Sequence, residues 1–281
     1  MVQNRSALNR FFTGILPTLV FLVLVLLPFY IMAVVSVQSL KEFTNRTNNP
    51  WIVTQFTLDH YRFLLQDTLF AKWTLNSTII SVAATAVSLL FSVLAGYALA
   101  RLRFRGANML GWIIFVTYLV PQTLLFLPLT NVIHIFHLSN TRWALICTYP
   151  TILIPFATWL LMGYFRGIPR DLEEAALIDG ATRLQTMWRV ILPLALPGIL
   201  SAGIFAFTLS WNEYIYALTF INSADLKTIP VGVTTELIRG DTNFWGPLMA
   251  GALLGSIPVA LLYSFFVDYF VAGMTAGAVK G

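Results

Sequence analysis

Charge is scarce in this chain of 281 residues. Only 10% of the side chains are Asp, Glu, Lys or Arg, against about 25% in soluble globular proteins. So few charges cannot form a water-exposed surface when 58% of the residues are hydrophobic, and the same composition excludes a disordered or nucleic-acid-binding protein. The one cysteine, Cys147, cannot form an intrachain disulfide, and its apolar surroundings predict an inert, buried thiol. The composition therefore predicts an integral membrane protein.

Motifs of catalysis and metal binding are also missing. The dipeptide Gly-Lys, which a phosphate-cradling loop requires, occurs nowhere, so any ATP that drives this protein must bind a separate subunit. There is no convincing G-x-S-x-G elbow for a nucleophilic serine. Of the three histidines, His134 and His137 lie three residues apart without Asp, Glu or Cys nearby, which argues against a metal site. We expect no catalytic residue, metal ligand or bound cofactor in this chain.

Long uncharged runs divide the chain into membrane spans. A bilayer core of about 30 Å needs roughly 20 apolar residues in a helix. The runs predict an all-α, polytopic membrane protein with one transmembrane domain over residues 1–281. Its six predicted helices are 13–37, 73–101, 107–130, 143–165, 194–220 and 247–272. The first is far longer than the apolar region of a signal peptide, so we expect it to be retained.

Basic residues predict the orientation. With the N-terminus inside, ten Lys and Arg fall on cytoplasmic segments and seven on the other side. The bias is modest, but the cluster Arg101, Arg103 and Arg105 lies directly at a helix end, where the positive-inside rule is strongest. Both termini are then cytoplasmic, and the net charge of +5 reflects topology rather than an anionic ligand.

Residues 166–193, between the fourth and fifth predicted spans, differ from an ordinary loop. Asp171 is a predicted N-cap, and Glu173 and Glu174 fall in the first turn, where carboxylates oppose the positive end of the helix dipole. Gly180 can end the helix in a left-handed conformation. These features predict a short cytoplasmic helix.

A second short helix is predicted from Thr182 to Arg189, before Pro193 opens the next span. The result is a helix–turn–helix at the cytoplasmic surface. Side chains such as Leu177 and Trp188 are too apolar for simple solvation. Composition alone does not distinguish a surface that lies on lipid headgroups from one that docks on another protein.

The same segment resembles the EAA signature of ABC-importer permease subunits. Glu174-Ala175-Ala176 is followed after three residues by Gly180, and after nine more by Val190-Ile191-Leu192-Pro193, with Val190 where the family has Ile. In that family the EAA helices dock into a groove of the ATPase subunit and transmit its closure to the spans. The resemblance implies that the residues that couple to the ATPase are Glu174, Ala175, Ala176, Asp179, Gly180, Leu192 and Pro193.

The rest of the chain is similar to the second permease of maltose-type carbohydrate importers. The similar segments are Trp73 to Ser77, Gly96 to Arg101 and Trp211 to Tyr214. The resemblance implies alternating access in the inner membrane, a heterodimer with a homologous permease, two ATPase subunits that bind ATP and Mg, and an external solute-binding protein. The lipid bilayer is the remaining expected partner, and we expect no nucleic acid to bind. Residues 222–246 resemble the outer loop that reaches the binding protein, although their mixed charges suit a solvated loop equally well.

Two interpretations remain open for Trp211, Asn212, Glu213 and Tyr214. They either line the translocation path or outer gate, or make interhelical hydrogen bonds at a subunit interface, which we favour. The alternatives to an importer subunit are a self-sufficient secondary transporter or a membrane-embedded enzyme. A carrier needs several ionisable groups at mid-membrane, and the predicted spans hold few.

Overall fold

The fold is known from a computed structural model, which describes residues 11–45, 49, 51–102, 104–239 and 242–275 and their side chains except at 239, 242, 243 and 268–275. The described chain is helical apart from one small hairpin. In chain order its helices are α1 Phe11–Val37, α2 Leu40–Thr44, α3 Asp59–Gln66, α4 Phe70–Arg101, α5 Ala107–Tyr118, α6 Gln122–Ile135, α7 Arg142–Gly167, α8 Asp171–Ile178, α9 Arg183–Trp211, α10 Ile215–Phe220, α11 Ile229–Glu236 and α12 Trp245–Thr275. A 3-10 turn spans Ala224–Leu226, and strands β1 Ile238–Arg239 and β2 Thr242–Asn243 pair antiparallel.

Five of these helices are long and apolar enough to cross a bilayer: α1, α4, α7, α9 and α12. The third predicted span, 107–130, is instead two helices, α5 and α6, bent by 95° at a short break. Pro121 explains the bend, because proline donates no amide hydrogen bond and disfavours helical geometry in the residue before it. Counting the bent pair as one span brings the number to the six expected from the sequence.

The fifth predicted span, 194–220, has different bounds in the structure. α9 runs without interruption from Arg183 through a π-turn at Met187–Ile191 to Trp211. The predicted separate helix from Thr182 to Arg189 is therefore the first part of the span itself. At the other end the helix stops at Trp211, and the Asn212 amide groups of both backbone and side chain donate to the Thr208 carbonyl, at 3.1 and 2.9 Å.

The chain divides into two compact units. One contains residues up to Phe70 together with Val233–Ser256, and the other contains Ala71–Gly232 and the residues from Ile257 onward. In the first unit, Leu64 is fully buried and the rings of Phe63 and Phe244 stack with centroids 5.8 Å apart. The predicted single domain stays a prediction.

The second unit contains a core formed by α4, α7 and α9. Lipid tails are as apolar as the side chains they contact, so the hydrophobic effect does not drive helices together within a bilayer. Helix association depends instead on close packing of small residues. A Cβ added at Gly96 would lie 3.2 Å from Leu161 Cβ, and one at Gly198 would lie 2.5 Å from the ring of Tyr164. These two glycines therefore let α4 and α9 approach α7 closely.

Cys147 departs from the sequence prediction. We expected a buried thiol, but its side chain is exposed on the chain. It lies four residues after Trp143, which is 61% exposed, so both share one outward face of α7. The apolar neighbours in sequence are on other faces of the helix.

Candidate functional site

The short helix α8 carries the predicted coupling residues. It begins after Arg170, whose carbonyl accepts the amide hydrogens of Glu173 at 2.9 Å and Glu174 at 3.0 Å. Asp171, Glu173 and Glu174 lie in the first turn, where their negative charge is stabilised by the helix dipole. The acidic first turn is confirmed, but the predicted N-cap is wrong: Arg170 is the cap, without a side-chain cap bond, and Asp171 is the first residue of the helix.

Gly180 ends α8 as predicted. Its φ is +86°, in the left-handed region that L side chains rarely adopt. The Gly180 amide donates to the Leu177 carbonyl at 3.1 Å, and the Ala181 amide donates to the Ala176 carbonyl at 3.0 Å. This pair of bonds is a Schellman motif, which satisfies the last carbonyls of the helix and turns the chain sharply.

The next helix, α9, begins at Arg183 with a capping box on Thr182. The Gln185 amide donates to Thr182 Oγ1 at 3.3 Å, and the Thr182 amide donates to Gln185 Oε1 at 2.8 Å. Only Ala181 and Thr182 therefore lie between Gly180 and the start of α9 at Arg183. Because both ends of the turn are hydrogen-bonded, α8 is connected stiffly to a membrane-spanning helix.

The predicted coupling residues form an outward surface. Glu174, Ala175, Asp179, Gly180 and Pro193 are exposed, and Ala176 and Leu192 are half-buried. Ile178 beside them is 85% exposed, an unusual degree for a large apolar side chain at the end of a helix. The described chain leaves this face uncovered.

Glu173, which the sequence analysis did not select, connects α8 to a membrane span. Its Oε1 accepts a hydrogen bond from the Tyr97 hydroxyl at 2.7 Å, and its Oε2 lies 3.8 Å from Arg101 Nε. The Arg101 side chain is 1% exposed and also donates from Nη2 to the Ile168 carbonyl at 2.8 Å. We call Tyr97, Arg101 and Glu173 the latch.

A sequence signal for the latch existed. Tyr97 and Arg101 are four residues apart, so they share one face at the end of α4. Both fall in a segment already noted for its resemblance to permeases. What the sequence could not show is that Glu173, rather than its neighbour Glu174, turns toward that face.

At the opposite end of the spans, Trp211, Asn212, Glu213 and Tyr214 occupy the break between α9 and α10. Glu213 accepts the amide hydrogens of Tyr216 at 2.8 Å and Ala217 at 3.0 Å, so its carboxylate caps the start of α10. It is 8% exposed and Trp211 is 3% exposed, whereas Asn212 and Tyr214 face outward. Within this chain Glu213 therefore has a structural partner of its own, the backbone of α10.

The first part of the predicted outer loop is held against the start of α4. Asn76, fully buried, donates to the carbonyls of Asp225 at 2.8 Å and Lys227 at 2.9 Å, and its Oδ1 accepts from Arg142 Nε at 2.9 Å. Trp73 Nε1 donates to the Ala224 carbonyl at 2.7 Å. We call these contacts of Trp73 and Asn76 the outer network.

Asn140 holds the same loop from its other side. Its Oδ1 accepts the backbone amides of Asn222 at 3.0 Å and Ser223 at 2.9 Å, and its own backbone amide donates to the Phe220 carbonyl at 2.9 Å. Asn140 adopts a φ of +56°, a left-handed conformation that asparagine tolerates better than most residues. The segment 222–227 is thus hydrogen-bonded to Trp73, Asn76 and Asn140 rather than extending freely into solvent.

Within the described part of the chain, no three His, Cys, Asp or Glu side chains come together in a way that could hold a metal ion.

The sequence of this chain matches a known family over residues 88–276, and the family is described as the inner membrane component of binding-protein-dependent transport systems. The chain belongs to this family. Inner membrane ABC transporter permease protein YcjP of Escherichia coli (strain K12) is 34% identical over the whole of both chains, a match that covers 100% of each. The trehalose/maltose transport system permease protein MalG of Thermococcus litoralis is 34% identical over 92% of this chain and 93% of its own. The prediction of a maltose-type importer permease is therefore confirmed.

A solved structure has the same fold. A chain of a bacterial ABC transporter involved in the import of the acidic polysaccharide alginate superposes with a TM-score of 0.78, covering 94% of this chain and 98% of that one at 24% identity. The family match and the curated relatives together show that the chain is a multi-pass transmembrane permease subunit of an ATP-driven importer. Family membership argues against the self-sufficient carrier that the sequence left open.

Proposed function

We propose that this permease subunit imports a carbohydrate and forms half of a translocation path beside a homologous permease, most simply as a heterodimer. Two ATPase subunits that hold ATP and Mg bind at the α8 end, and an external solute-binding protein delivers the substrate. The chain itself performs no catalysis and binds no cofactor. Both termini are cytoplasmic, in a bacterial inner membrane.

The exposed face of α8 carries this proposal. The helix is closed at its C-terminus by Gly180, is connected stiffly to α9, and presents Glu174 and Ile178 outward with nothing in the described chain to cover them. A partner that moves α8 also moves α9 directly. Through Glu173 the same motion reaches Arg101 and the end of α4.

The relatives support a carbohydrate as the transported solute. Their names include trehalose and maltose for the Thermococcus protein, and sulfoquinovosyl glycerol for a permease of Agrobacterium fabrum that is 37% identical over 86% of this chain. The solute itself is selected largely by the binding protein. A ligand-induced thermal shift of that protein against a panel of sugars tests the assignment, and a shift with amino acids alone would overturn it.

The coupling role is tested in the assembled complex in lipid nanodiscs. We expect Glu174→Gln to reduce substrate-stimulated ATP hydrolysis or to lose the ATPase subunits, because Glu174 faces the partner. Asp171→Asn is the matched control, since it removes an equally exposed carboxylate from the same turn. Equal effects of both changes would mean that the helix dipole, and not docking, explains the loss.

Gly180→Val tests the turn. A side chain at this φ strains the backbone by roughly 1–2 kcal/mol. We therefore expect substrate-stimulated ATP hydrolysis by the complex to fall roughly 5- to 30-fold. Gly167→Val is the control, because Gly167 also has nothing within 4 Å of an added Cβ but lacks a positive φ. Transport by this chain alone, in vesicles without ATP, would overturn the proposed function entirely.

A further inference from the structure

An open cleft of about 620 Å³ lies between the ends of α4, α5 and α7. Three arginines line it: Arg105 in the turn between α4 and α5, Arg166 in the last turn of α7, and Arg170 just before α8. All three are exposed, and among the residues that the structure describes, no carboxylate lines the cleft. The latch accounts for Arg101 but leaves these three guanidinium groups without an acidic partner in the described chain.

The cleft lies at the level where apolar helices end. α4 ends at Arg101, α5 begins at Ala107, and α7 ends at Gly167, so Arg105 and Arg166 flank the boundary between hydrocarbon and water. Two apolar side chains on its rim, Phe104 and Met109, are 43% and 68% exposed. Lipid acyl chains would cover such side chains at this depth.

The turn between α4 and α5 places the N-terminus of α5, which carries a partial positive charge, at the same cleft. Gly106 has a φ of +91° and reverses the chain so that the first turn of α5 opens on the cleft. The N-terminus of a helix presents amide hydrogens and a partial positive charge, which favours an anion. Asn108 lies in the same turn of α5, and its Oδ1 accepts a hydrogen bond from Arg166 Nη2 at 3.5 Å.

We propose that this cleft binds the phosphate headgroup of an anionic phospholipid. Cationic residues, a helix N-terminus and exposed apolar side chains converge at the membrane boundary, which matches a ligand that is anionic at one end and apolar at the other. Basic pockets between transmembrane helices bind anionic lipids by this combination. The inference concerns the bilayer partner and does not depend on which solute is transported.

The test compares lipids on the purified full-length chain with the subunits that copurify with it. Native mass spectrometry after addition of phosphatidylglycerol or phosphatidylcholine counts the retained lipids. We expect phosphatidylglycerol to be preferred. Each arginine near an anionic headgroup raises the affinity for that lipid about fivefold. The double substitution Arg105→Gln with Arg166→Gln removes two such charges and should weaken phosphatidylglycerol binding roughly 25-fold.

Matched variants separate charge from folding. Arg105→Lys with Arg166→Lys keeps both charges and should retain most of the preference for phosphatidylglycerol. Arg62→Gln removes an exposed arginine on α3 and should change nothing. Arg170 is left intact, because it also borders a second cavity beside Glu173 and Glu174.

Several results would overturn the proposal. Equal retention of the two lipids by the unaltered protein would do so, and this comparison stands even if a variant fails to fold. Full phosphatidylglycerol binding by the double Gln variant, with loss of the ATPase subunit instead, would assign the cleft to that protein. Displacement of the lipid by millimolar inorganic phosphate alone would assign it to a soluble anion.

Discussion

The two ends of α4 are held in different ways. At the coupling end, Tyr97 and Arg101 contact one carboxylate, Glu173, through a hydrogen bond of 2.7 Å and an ion pair of 3.8 Å, and Arg101 also donates to the Ile168 carbonyl at 2.8 Å. At the outer end, Trp73 and Asn76 are satisfied by backbone carbonyls and one guanidinium, with donor–acceptor distances between 2.7 and 2.9 Å. The helix between Asn76 and Arg101 is about 38 Å long.

The difference indicates a rigid end and an end that can rearrange. A buried amide with three well-formed hydrogen bonds is costly to disrupt, because every separated partner is left unsatisfied. An ion pair at 3.8 Å beside the surface, with Glu173 16% exposed, can be exchanged for water more easily. We infer that α4 is fixed by its outer network and moved through its latch.

The largest expected effect is at the outer network. Asn76→Leu removes three hydrogen bonds and leaves two carbonyls and Arg142 unpaired. We expect a loss of about 3 kcal/mol or more in stability, and a fall of roughly 5–10 °C in the unfolding temperature measured in detergent. Asn131→Leu, at an exposed position on α6, is the control and should shift it little. Equal shifts would show that the outer end is no more rigid than the surface.

The next effect is at the latch. Glu173→Gln leaves the buried Arg101 without its counter-charge, and partial exposure reduces the cost to about 1–3 kcal/mol. Glu174→Gln should leave the unfolding temperature almost unchanged, because that carboxylate is exposed and has no partner in the described chain. Thermal unfolding of the two variants separates anchoring from docking. The same shift in both would contradict the assignment of Glu173 as the anchor.

A smaller effect is expected from Tyr97→Phe. The change removes one hydroxyl that donates to Glu173 and keeps the ring packed edge-on against Phe165 with centroids 6.0 Å apart. Loss of one hydrogen bond to a charged group should cost about 1.5 kcal/mol. Combined with Glu173→Leu it should add little, because the Leu variant already leaves the Tyr97 hydroxyl without its acceptor. Full additivity in a double-mutant cycle would mean that the latch is not one unit.

The smallest effect concerns a third carboxylate, Glu42 on α2. The amide and hydroxyl of Thr54 and the amide of Gln55 donate to it at 2.6, 2.8 and 2.9 Å, and these bonds lower the pKa of Glu42 below its usual 4.5. A lowered pKa in the folded state means that the contribution to stability is present above the unfolded pKa and is lost as the pH falls through the folded one. We expect amide exchange at Thr54 and Gln55 to accelerate below about pH 4.5, relative to neighbouring amides.

Glu42→Gln is the control for that measurement. The amide oxygen still accepts hydrogen bonds but does not titrate, so the relative exchange rate should stay constant with pH. Exchange in the original chain that shows no acid dependence would show that the carboxylate is not needed to hold this loop.

Much of the coupling helix could be predicted from local chemistry. Acidic residues in the first turn and the glycine with positive φ act over three or four residues, and both are where the sequence indicated. The bend at Pro121 and the end of α9 at Trp211 were missed, because an uncharged run does not reveal where a helix breaks inside it. The partner of Glu213 was also missed, since its carboxylate bonds to a backbone that the prediction had placed inside a continuous span.

The sequence alone determined that this protein lies in a membrane, approximately where its spans are, and to which family it belongs. It could do so because hydropathy and spaced motifs are local properties. Only the tertiary structure decided which carboxylate is an anchor and which is free. Glu173 and Glu174 are adjacent and chemically identical, and helical geometry turns them by about 100° from each other. That rotation directs one toward Arg101 and leaves the other on the exposed face of the helix.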